Sequence, residues 1–181
     1  MTHPSQDVQL LTRVVEGDHQ AFTTIMQAHE DRVFSVCLRI LGNRESALDA
    51  TQETFLTTFR KASQFEGKSA LGTWIYRIAV NTCYDMLRKE GRRKTDPLPD
   101  HVDPADHAAA EAVEWIAMRP ELQRALANLP HDFRAAVVLS DIEGMALPEV
   151  ADVLGIPVGT VKSRVFRGRR MLAAELGNQR T

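Results

Sequence analysis

The chain has 181 residues, of which 44% are hydrophobic and 25% are charged, and its formal net charge at pH 7 is -2. This length suits one medium domain or two small ones, and the composition is that of a soluble globular protein. The balanced charge excludes a uniformly basic protein. The lack of a long apolar run or a basic, apolar start predicts a cytoplasmic protein with no membrane insertion.

Charge is distributed unevenly along the chain. Six basic residues stand against two acidic ones over residues 77–94, and six against one over residues 160–181. Between them, residues 95–121 hold seven acidic residues and one basic residue. The small total therefore conceals two basic segments that flank an acidic one. Cys37 and Cys83 stand among apolar residues, which predicts buried thiols in a reducing compartment, with a redox-sensing pair as the alternative.

Helical periodicity is the main structural signal in the first half of the chain. Apolar residues recur at three- and four-residue steps over residues 18–41 and 45–63, which predicts two helices, the first ending at Gly42 and Asn43. A glycine-containing break follows, and the pattern then predicts a third helix over residues 73–88. Strand patterns are scarce, so the predicted fold class is all-α.

A change of composition divides the chain in two. Residues 95–118 contain three prolines and many aspartates, a composition that disfavours helix and strand alike. Helical periodicity resumes near residue 120. We therefore predict two small helical domains, residues 1–94 and 119–181, joined by a flexible acidic linker.

Residues 147–165 fit a helix-turn-helix. Pro148 suits the first turn of a helix, and Gly155 stands where a helix C-terminus favours positive φ. The second helix then presents one apolar stripe that should face the domain core: Val161, Val165, Gly168 and Leu172.

The opposite side of this last helix is basic. Residues 160–172 contain five cations and no acid, whereas a solvated helix surface usually alternates the sign of its charges to form ion pairs. Mutual repulsion among the cations therefore favours an anionic partner. The phosphates of DNA supply such charge, and side chains near the start of such a helix read base edges in a major groove. We predict DNA binding.

Two more surfaces are predicted in the first domain. One is a polar stripe, made of Asp49, Gln52 and Glu53, beside an apolar ladder, made of Leu48, Phe55, Leu56 and Phe59. Within the ladder, Phe55 and Phe59 are expected to lie in the core. The other is an aromatic and polar face of the third helix: Trp74, Arg77, Asn81, Tyr84, Asp85 and Arg88. Two alternatives stay open for this face, since Trp74 also fits a partly buried position and Asp85 also fits a surface pair with Arg88.

Together these segments closely resemble the extracytoplasmic-function group of bacterial RNA polymerase sigma factors. The resemblance covers roughly residues 18–92 and 119–176, and it is carried by the segments "TQETF" and "GTVKSR" on either side of a variable tether. It implies an alternative sigma factor that binds core RNA polymerase and directs promoter-specific transcription initiation. It also implies an anti-sigma factor as a possible partner, and a place on the nucleoid through the polymerase.

The resemblance further implies three binding sites. Asp49, Gln52 and Glu53 would dock on core polymerase. The residues implied to bind the melted minus-ten element are Phe65, Lys68, Ser69, Trp74, Arg77, Asn81, Tyr84, Asp85 and Arg88, with the loop at residues 65–72 receiving a flipped-out base. The residues implied to bind the minus-thirty-five duplex are Thr160, Lys162, Ser163, Arg164, Phe166, Arg167 and Arg170. The acidic linker would thread toward the RNA exit path.

Two other functions remain as alternatives. One is a conventional helix-turn-helix regulator that binds operator DNA as a dimer without polymerase, and the other is a helical adaptor with an incidental DNA module. An enzyme is not expected, because the sequence offers no phosphate-cradling glycine loop and no nucleophile–base pair. We likewise expect no cofactor, no small-molecule substrate and no metal, since the spacing of His29, His101, His107 and His131 fits no metal site.

Overall fold

The computed structural model describes residues 4–95 and 120–178, and both ranges are helical with no strand. The all-α prediction is confirmed. The first helical unit, residues 4–95, contains α1 (Pro4–Val15), α2 (His19–Leu41), α3 (Arg44–Arg60), a 3₁₀ turn (Ala62–Gln64) and α4 (Leu71–Thr95). The second helical unit, residues 120–178, contains α5 (Pro120–Asn128), α6 (His131–Val137), a π-helical segment (Val138–Ile142), α7 (Leu147–Leu154) and α8 (Val158–Asn178).

The boundaries of α2 and α3 follow from local capping. The Asp18 side chain accepts a hydrogen bond from the backbone N–H of Ala21 and so caps the start of α2. Gly42 ends that helix in a left-handed conformation with φ of 80°. Asn43 then caps α3, because its Oδ1 accepts the N–H of Ser46 at 2.8 Å. The chain therefore reverses within two residues, at the position that the sequence predicts.

Two helices of the first unit differ from the prediction. Helix α1 is not predicted from the sequence at all, yet Leu11 and Val14 are buried in the core that it shares with α2. Helix α4 extends beyond the predicted residues 73–88 at both ends.

The second unit contains the predicted helix-turn-helix, formed by α7 and α8. Gly155 ends α7 with φ of 65°, and its N–H donates to the carbonyl of Ala151. At the other end of α7, the Glu149 carboxylate accepts the N–H of Ala146 at 2.9 Å. Val161 and Val165 of α8 are 0% and 4% exposed, which confirms the predicted inward stripe.

The two units contact one another through buried charges. Arg39 of α2 forms an ion pair of 2.9 Å with Glu143, which follows the π-helical segment, and the two side chains are 8% and 10% exposed. Arg134 of α6 reaches back to the end of α2, where it donates to the carbonyl of Ile40 at 2.5 Å. The same guanidinium also donates to the carbonyls of Ala127 and Leu129, so a single side chain connects α2 with the end of α5.

The division into two domains stays a prediction. Buried residues of both units form one continuous apolar cluster, and a second cluster lies wholly within residues 120–178. The predicted acidic linker falls almost entirely outside the described residues, including all four of its linker aspartates: Asp96, Asp100, Asp103 and Asp106.

Candidate nucleic-acid interface

The predicted polar stripe on α3 lies in an exposed apolar setting. Asp49, Gln52 and Glu53 are all exposed, as expected. Of the predicted apolar ladder, only Phe55 is buried, at 4%, while the other three side chains lie on the same outer face as the stripe: Leu48 at 42%, Leu56 at 51% and Phe59 at 40% exposed. We call this face, made of Leu48, Asp49, Gln52, Glu53, Leu56 and Phe59, the docking stripe.

The core position expected for Phe59 is wrong. Its ring lies at the edge of the α2–α3 contact, 5.1 Å from the ring of Phe22 in an edge-on arrangement and 6.3 Å from the ring of His19. These contacts hold one side of the Phe59 ring and leave the other in solvent. The periodicity correctly predicts an apolar face on α3, but α2 covers only part of that face.

The loop between α3 and α4 brings together two aromatic residues of the predicted minus-ten set. The rings of Phe65 and Trp74 lie 5.3 Å apart, and both side chains are half-buried. Gly67 adopts a φ of 69°, a left-handed conformation that glycine adopts without strain. Lys68 forms an exposed ion pair with Glu66. We call residues 65–72 the capture loop.

One face of α4 displays polar side chains to solvent, as predicted. Arg77, Asn81, Asp85 and Arg88 are exposed. Arg88 is paired with Asp85, three residues earlier on the same helix, which confirms the simple surface pair that the sequence left open. An exposed pair of this kind contributes little to stability, so both groups remain available to another partner.

Two members of the same face, Tyr84 and the exposed Arg77, also meet the second unit. Tyr84 is half-buried, and its hydroxyl finds no hydrogen-bond partner within the described residues. Burial raises the pKa of Tyr84 to about 12, and the nearby carboxylate of Asp132 adds to the shift. Arg77 donates from Nε to the backbone carbonyl of Asp152 in α7 at 2.7 Å. The predicted minus-ten set is thus divided between solvent and the contact with the second unit.

The outer face of α8 carries most of the predicted minus-thirty-five set. We call its five exposed members the basic face: Lys162, Ser163, Phe166, Arg167 and Arg170. Phe166 is 61% exposed, and the guanidinium carbon of Arg170 lies 5.9 Å from the centre of its ring. Thr160 is half-exposed, and its carbonyl accepts the hydroxyl of Ser163.

Two of the five cations on α8 have carboxylate partners on neighbouring helices. Arg164 pairs with Asp132 of α6 at 2.8 Å, and its side chain is 23% exposed. Arg169 forms a two-pronged pair with Asp141, at 2.8 Å from Nε and 2.6 Å from Nη2. This pairing lowers the pKa of the Asp141 carboxyl. The predicted repulsion therefore applies mainly to the remaining cations, since within the described residues Lys162, Arg167 and Arg170 form no ion pair.

A groove beside the basic face was not predicted. Apolar side chains of Met145, Leu147 and Val165 line it, together with Lys162 and Asp141. The residues come from the π-helical segment, the following turn, the start of α7 and α8, so no single stretch of sequence indicates the groove.

The remaining predictions concern metal ligands, cysteines and membrane insertion. No group of three or more metal-ligating side chains occurs there, and His101 and His107 lie outside the described ranges. Cys37 and Cys83 are both fully buried. A hydrogen bond with Cys37, together with burial, raises the pKa of the Cys83 thiol, so it remains protonated. No helix in these ranges is both long enough and apolar enough to cross a membrane.

Two family models match the chain, one on each helical unit. The Sigma-70 region 2 model matches residues 25–93, and the Sigma-70 region 4 model matches residues 119–172.

Curated relatives match over most of the chain. RNA polymerase sigma-H factor of Pseudomonas aeruginosa is 35% identical over 95% of this chain and 94% of its own length. The sigma factor SigE of Mycolicibacterium smegmatis, described as an ECF RNA polymerase sigma factor, is 40% identical over 86% of this chain. The chain spans 63% of the length of that second relative.

Solved structures of similar fold are also found. The sigma factor RpoE of Bartonella quintana, in complex with the anti-sigma factor NepR, superposes with a TM-score of 0.69 at 25% identity, covering 86% of this chain and 96% of that one. CnrH, in complex with the cytosolic domain of CnrY, gives a TM-score of 0.68 at 23% identity, covering 95% of this chain and 97% of that one, which shows the fold alone.

Proposed function

Because the chain belongs to the extracytoplasmic-function group of the sigma-70 family, we propose that it is an alternative sigma factor that binds core RNA polymerase and directs promoter-specific initiation. The observation that carries this proposal is the 35% identity with a sigma factor over nearly the whole length of both chains. The chain would supply promoter specificity, while the polymerase would supply the chemistry of RNA synthesis. The same likeness disfavours a regulator that works without polymerase.

We assign polymerase docking to the docking stripe of α3. Three large apolar side chains are exposed there beside Asp49, Gln52 and Glu53, and exposed apolar surface rimmed by polar groups marks an interaction site. Burying such side chains in an interface yields about 25 cal/mol for each Å² removed from water. The polar members would then set orientation and register on the polymerase.

We assign the melted minus-ten strand to the capture loop and α4. Capturing an unpaired base needs a recess and rings on which it stacks, and the contact between Phe65 and Trp74 provides rings at that position. Lys68 and Ser69 extend the loop with a cation and a hydroxyl, and Asn81 and Arg88 continue the polar surface along α4. This arrangement suits single-stranded DNA better than a small ligand.

We assign the minus-thirty-five duplex to the basic face of α8. Lys162, Arg167 and Arg170 offer charge to phosphates, and Ser163 and Phe166 stand between them for contacts in the groove. Arg164 would have to leave Asp132 to reach DNA, while Arg169 is held by both oxygens of Asp141. The basic face is accessible without moving the first unit.

The proposed domains are residues 1–94, an acidic linker at residues 95–118 and residues 119–181. The linker would mimic nucleic acid in the basic RNA exit path of the polymerase. Replacing its four aspartates by asparagine should weaken the holoenzyme or change promoter escape; if neither changes, the linker has no such role.

Promoter binding by this chain requires the two units to separate. Arg77 and Tyr84 belong to the minus-ten surface, yet they contact or face residues of the second unit. The two promoter elements are distant from one another on the polymerase. Binding to the polymerase would supply the free energy needed to break the contacts between the two units. A similar sigma factor is held by an anti-sigma factor, and we propose such a protein as a possible partner of this chain.

The proposed function is tested by run-off transcription on a genomic promoter library, with and without core RNA polymerase. We expect new transcripts that core enzyme alone does not produce, and no tight, specific promoter binding by the isolated chain. Specific binding without polymerase would favour the regulator. Co-elution with polymerase but no new transcript would favour the adaptor.

A further inference from the structure

Helix α1 contacts the capture loop, although neither family model includes it. The Sigma-70 region 2 match begins at residue 25, whereas α1 ends at Val15. The helix packs against α2 and against the 3₁₀ turn that precedes the loop. Its side chains meet the capture loop, residues 65–72, at two points.

The first contact is a helix cap supplied from a distance. Asp7 of α1 is 3% exposed, and its Oδ2 accepts the backbone N–H of Leu71, the first residue of α4, at 3.3 Å. The residue at the capping position itself is Ala70, whose carbonyl accepts the N–H of Trp74 but whose side chain has no acceptor. The first N–H groups of a helix need partners from outside, and a carboxylate is the favoured one. Asp7 supplies what Ala70 lacks.

The second contact is steric. Gly67 has a φ of 69°, and a Cβ placed there would stand 2.9 Å from Cγ2 of Val8. Such a distance is closer than a real Cβ tolerates, so Val8 and the backbone of Gly67 are in direct van der Waals contact. Adjacent residues of α1 thus hold the capture loop near its start and at its end.

A third side chain closes the space beneath the loop. His29 of α2 lies next to Gly72, where a Cβ would stand 3.4 Å from its Cε1. Burial lowers the pKa of His29, and the charge of Asp7 opposes that shift, so the two ionisable groups face each other under the first turn of α4. The capture loop therefore packs against side chains of both α1 and α2.

We infer that Asp7 and Val8 are positioning residues for base capture: they fix the backbone of residues 67–71 and so set the place of the Phe65–Trp74 ring pair on which the base stacks. This inference rests on the proposed function of the capture loop. Asp7 acts through Leu71 and touches no DNA. A flexible loop would lose conformational entropy when it binds the base, and this cost weakens binding. A loop that α1 already holds in place avoids most of that cost.

The test uses full-length chain assembled with core RNA polymerase. The probe is a pool of randomised single-stranded DNA oligonucleotides, enriched on the wild-type holoenzyme and then measured on variants. Asp7→Ala removes the cap, and the typical loss on removing a helix cap corresponds to a factor of about five, which we expect as weaker affinity for the enriched oligonucleotides. We also expect base preference to flatten at one position while it holds at the others.

Controls separate positioning from folding. Asp7→Asn keeps an oxygen that accepts the N–H of Leu71 and should restore most of the affinity. Gln9→Ala alters an exposed residue on the same helix and should behave as wild type. Assembly with core polymerase and binding of a minus-thirty-five duplex should be unchanged in all three variants.

A second pair of substitutions keeps the inference testable if Asp7→Ala fails to fold. Gly67→Ala should impair binding of the oligonucleotides, and Val8→Ala combined with it should recover part of the loss by removing the methyl group that the new Cβ meets. Rescue by Val8→Ala supports the contact; strict additivity of the two changes overturns it.

Two results would overturn the role of Asp7 itself. Asp7→Ala holoenzyme could retain both affinity and base preference, or it could lose core assembly and duplex binding in proportion, which would make Asp7 a purely structural residue. A failure of the proposed function looks different, since wild-type holoenzyme would then enrich no sequence from the pool.

Discussion

The guanidinium Nε of Arg77 lies 2.7 Å from the backbone carbonyl oxygen of Asp152, so a side chain on the predicted minus-ten surface is bonded to the helix that precedes the basic face. The bond uses one of the five guanidinium N–H donors, so a DNA phosphate that takes Nε would have to displace that carbonyl. Since Arg39 and Glu143 pair in the same contact between the units, the arrangement has a buried electrostatic component that can be removed by substitution.

Glu143→Gln should favour separation of the two units. Breaking a buried ion pair by removing one partner costs about 3–5 kcal/mol, because the other charge stays buried without its counterion. We expect a larger radius of gyration for the isolated chain in small-angle X-ray scattering. Glu121→Gln on the exposed side of α5 is the control, and an unchanged radius in both variants would contradict the prediction.

Gly168→Ala should destabilise the second unit. A Cβ at residue 168 would stand 2.6 Å from Cγ2 of Val137, so α8 could no longer approach α6 as closely. Overpacking of this kind costs about 1–3 kcal/mol in the free energy of unfolding, measurable by urea denaturation. Gly177→Ala in the same helix meets nothing within 4 Å and should instead stabilise, by up to about 1 kcal/mol.

The cations of α8 should differ in their contribution to DNA binding. Arg167→Ala removes an exposed cation and should reduce the slope of log affinity against log salt by about 1, as expected for one lost phosphate contact. Arg169→Ala should change that slope less, because Asp141 already neutralises Arg169. The measurement is a salt titration of holoenzyme binding to duplex DNA. Equal slopes for the two variants would show that the ion pair opens on DNA.

Leu56→Asn should weaken assembly with core polymerase without unfolding the chain. Leu56 is 51% exposed, and surface substitutions of this kind usually change stability by no more than about 0.5 kcal/mol. The lost contact should appear as faster dissociation of the holoenzyme in a surface-binding assay. Glu45→Gln, near the start of α3, serves as the matched exposed control, and identical dissociation rates would exclude the docking stripe.

His29 should make stability depend on pH below neutrality. Burial lowers the pKa of His29 from its ordinary value of 6.5, so the unfolded chain takes up a proton at higher pH than the folded chain does. The contribution is therefore fully present above about pH 6.5 and is lost as pH falls through the folded pKa. Urea midpoints at about pH 7.5 and pH 5.5 should differ less in His29→Gln than in wild type; equal differences would contradict this assignment.

Local signals predicted much of the fold. Helical periodicity and the Gly42–Asn43 boundary located α2 and α3, and the apolar stripe with Val161 and Val165 oriented α8 correctly. These features depend on neighbours within one or two turns, so a single sequence contains the information. The family resemblance then supplied the function that composition alone could not.

Long-range contacts account for what the sequence did not show. Asp7 of α1 accepts the N–H of Leu71, which lies 64 residues later in the sequence. Asp141 pairs with Arg169, which lies 28 residues later. Phe59 has the spacing of a core residue but lies where α2 fails to cover it. In each case the partner is chosen by the packing of helices, which residue spacing within one helix does not specify.

Arg134 gives the joint between the units a chemical character of its own. Its guanidinium donates hydrogen bonds to backbone carbonyls at the ends of two helices. Arginine stays protonated throughout the physiological pH range. Acidification within that range would therefore leave these hydrogen bonds intact. A partner that offers the second unit competing contacts could separate the units at constant pH, without any change in the charge of Arg134.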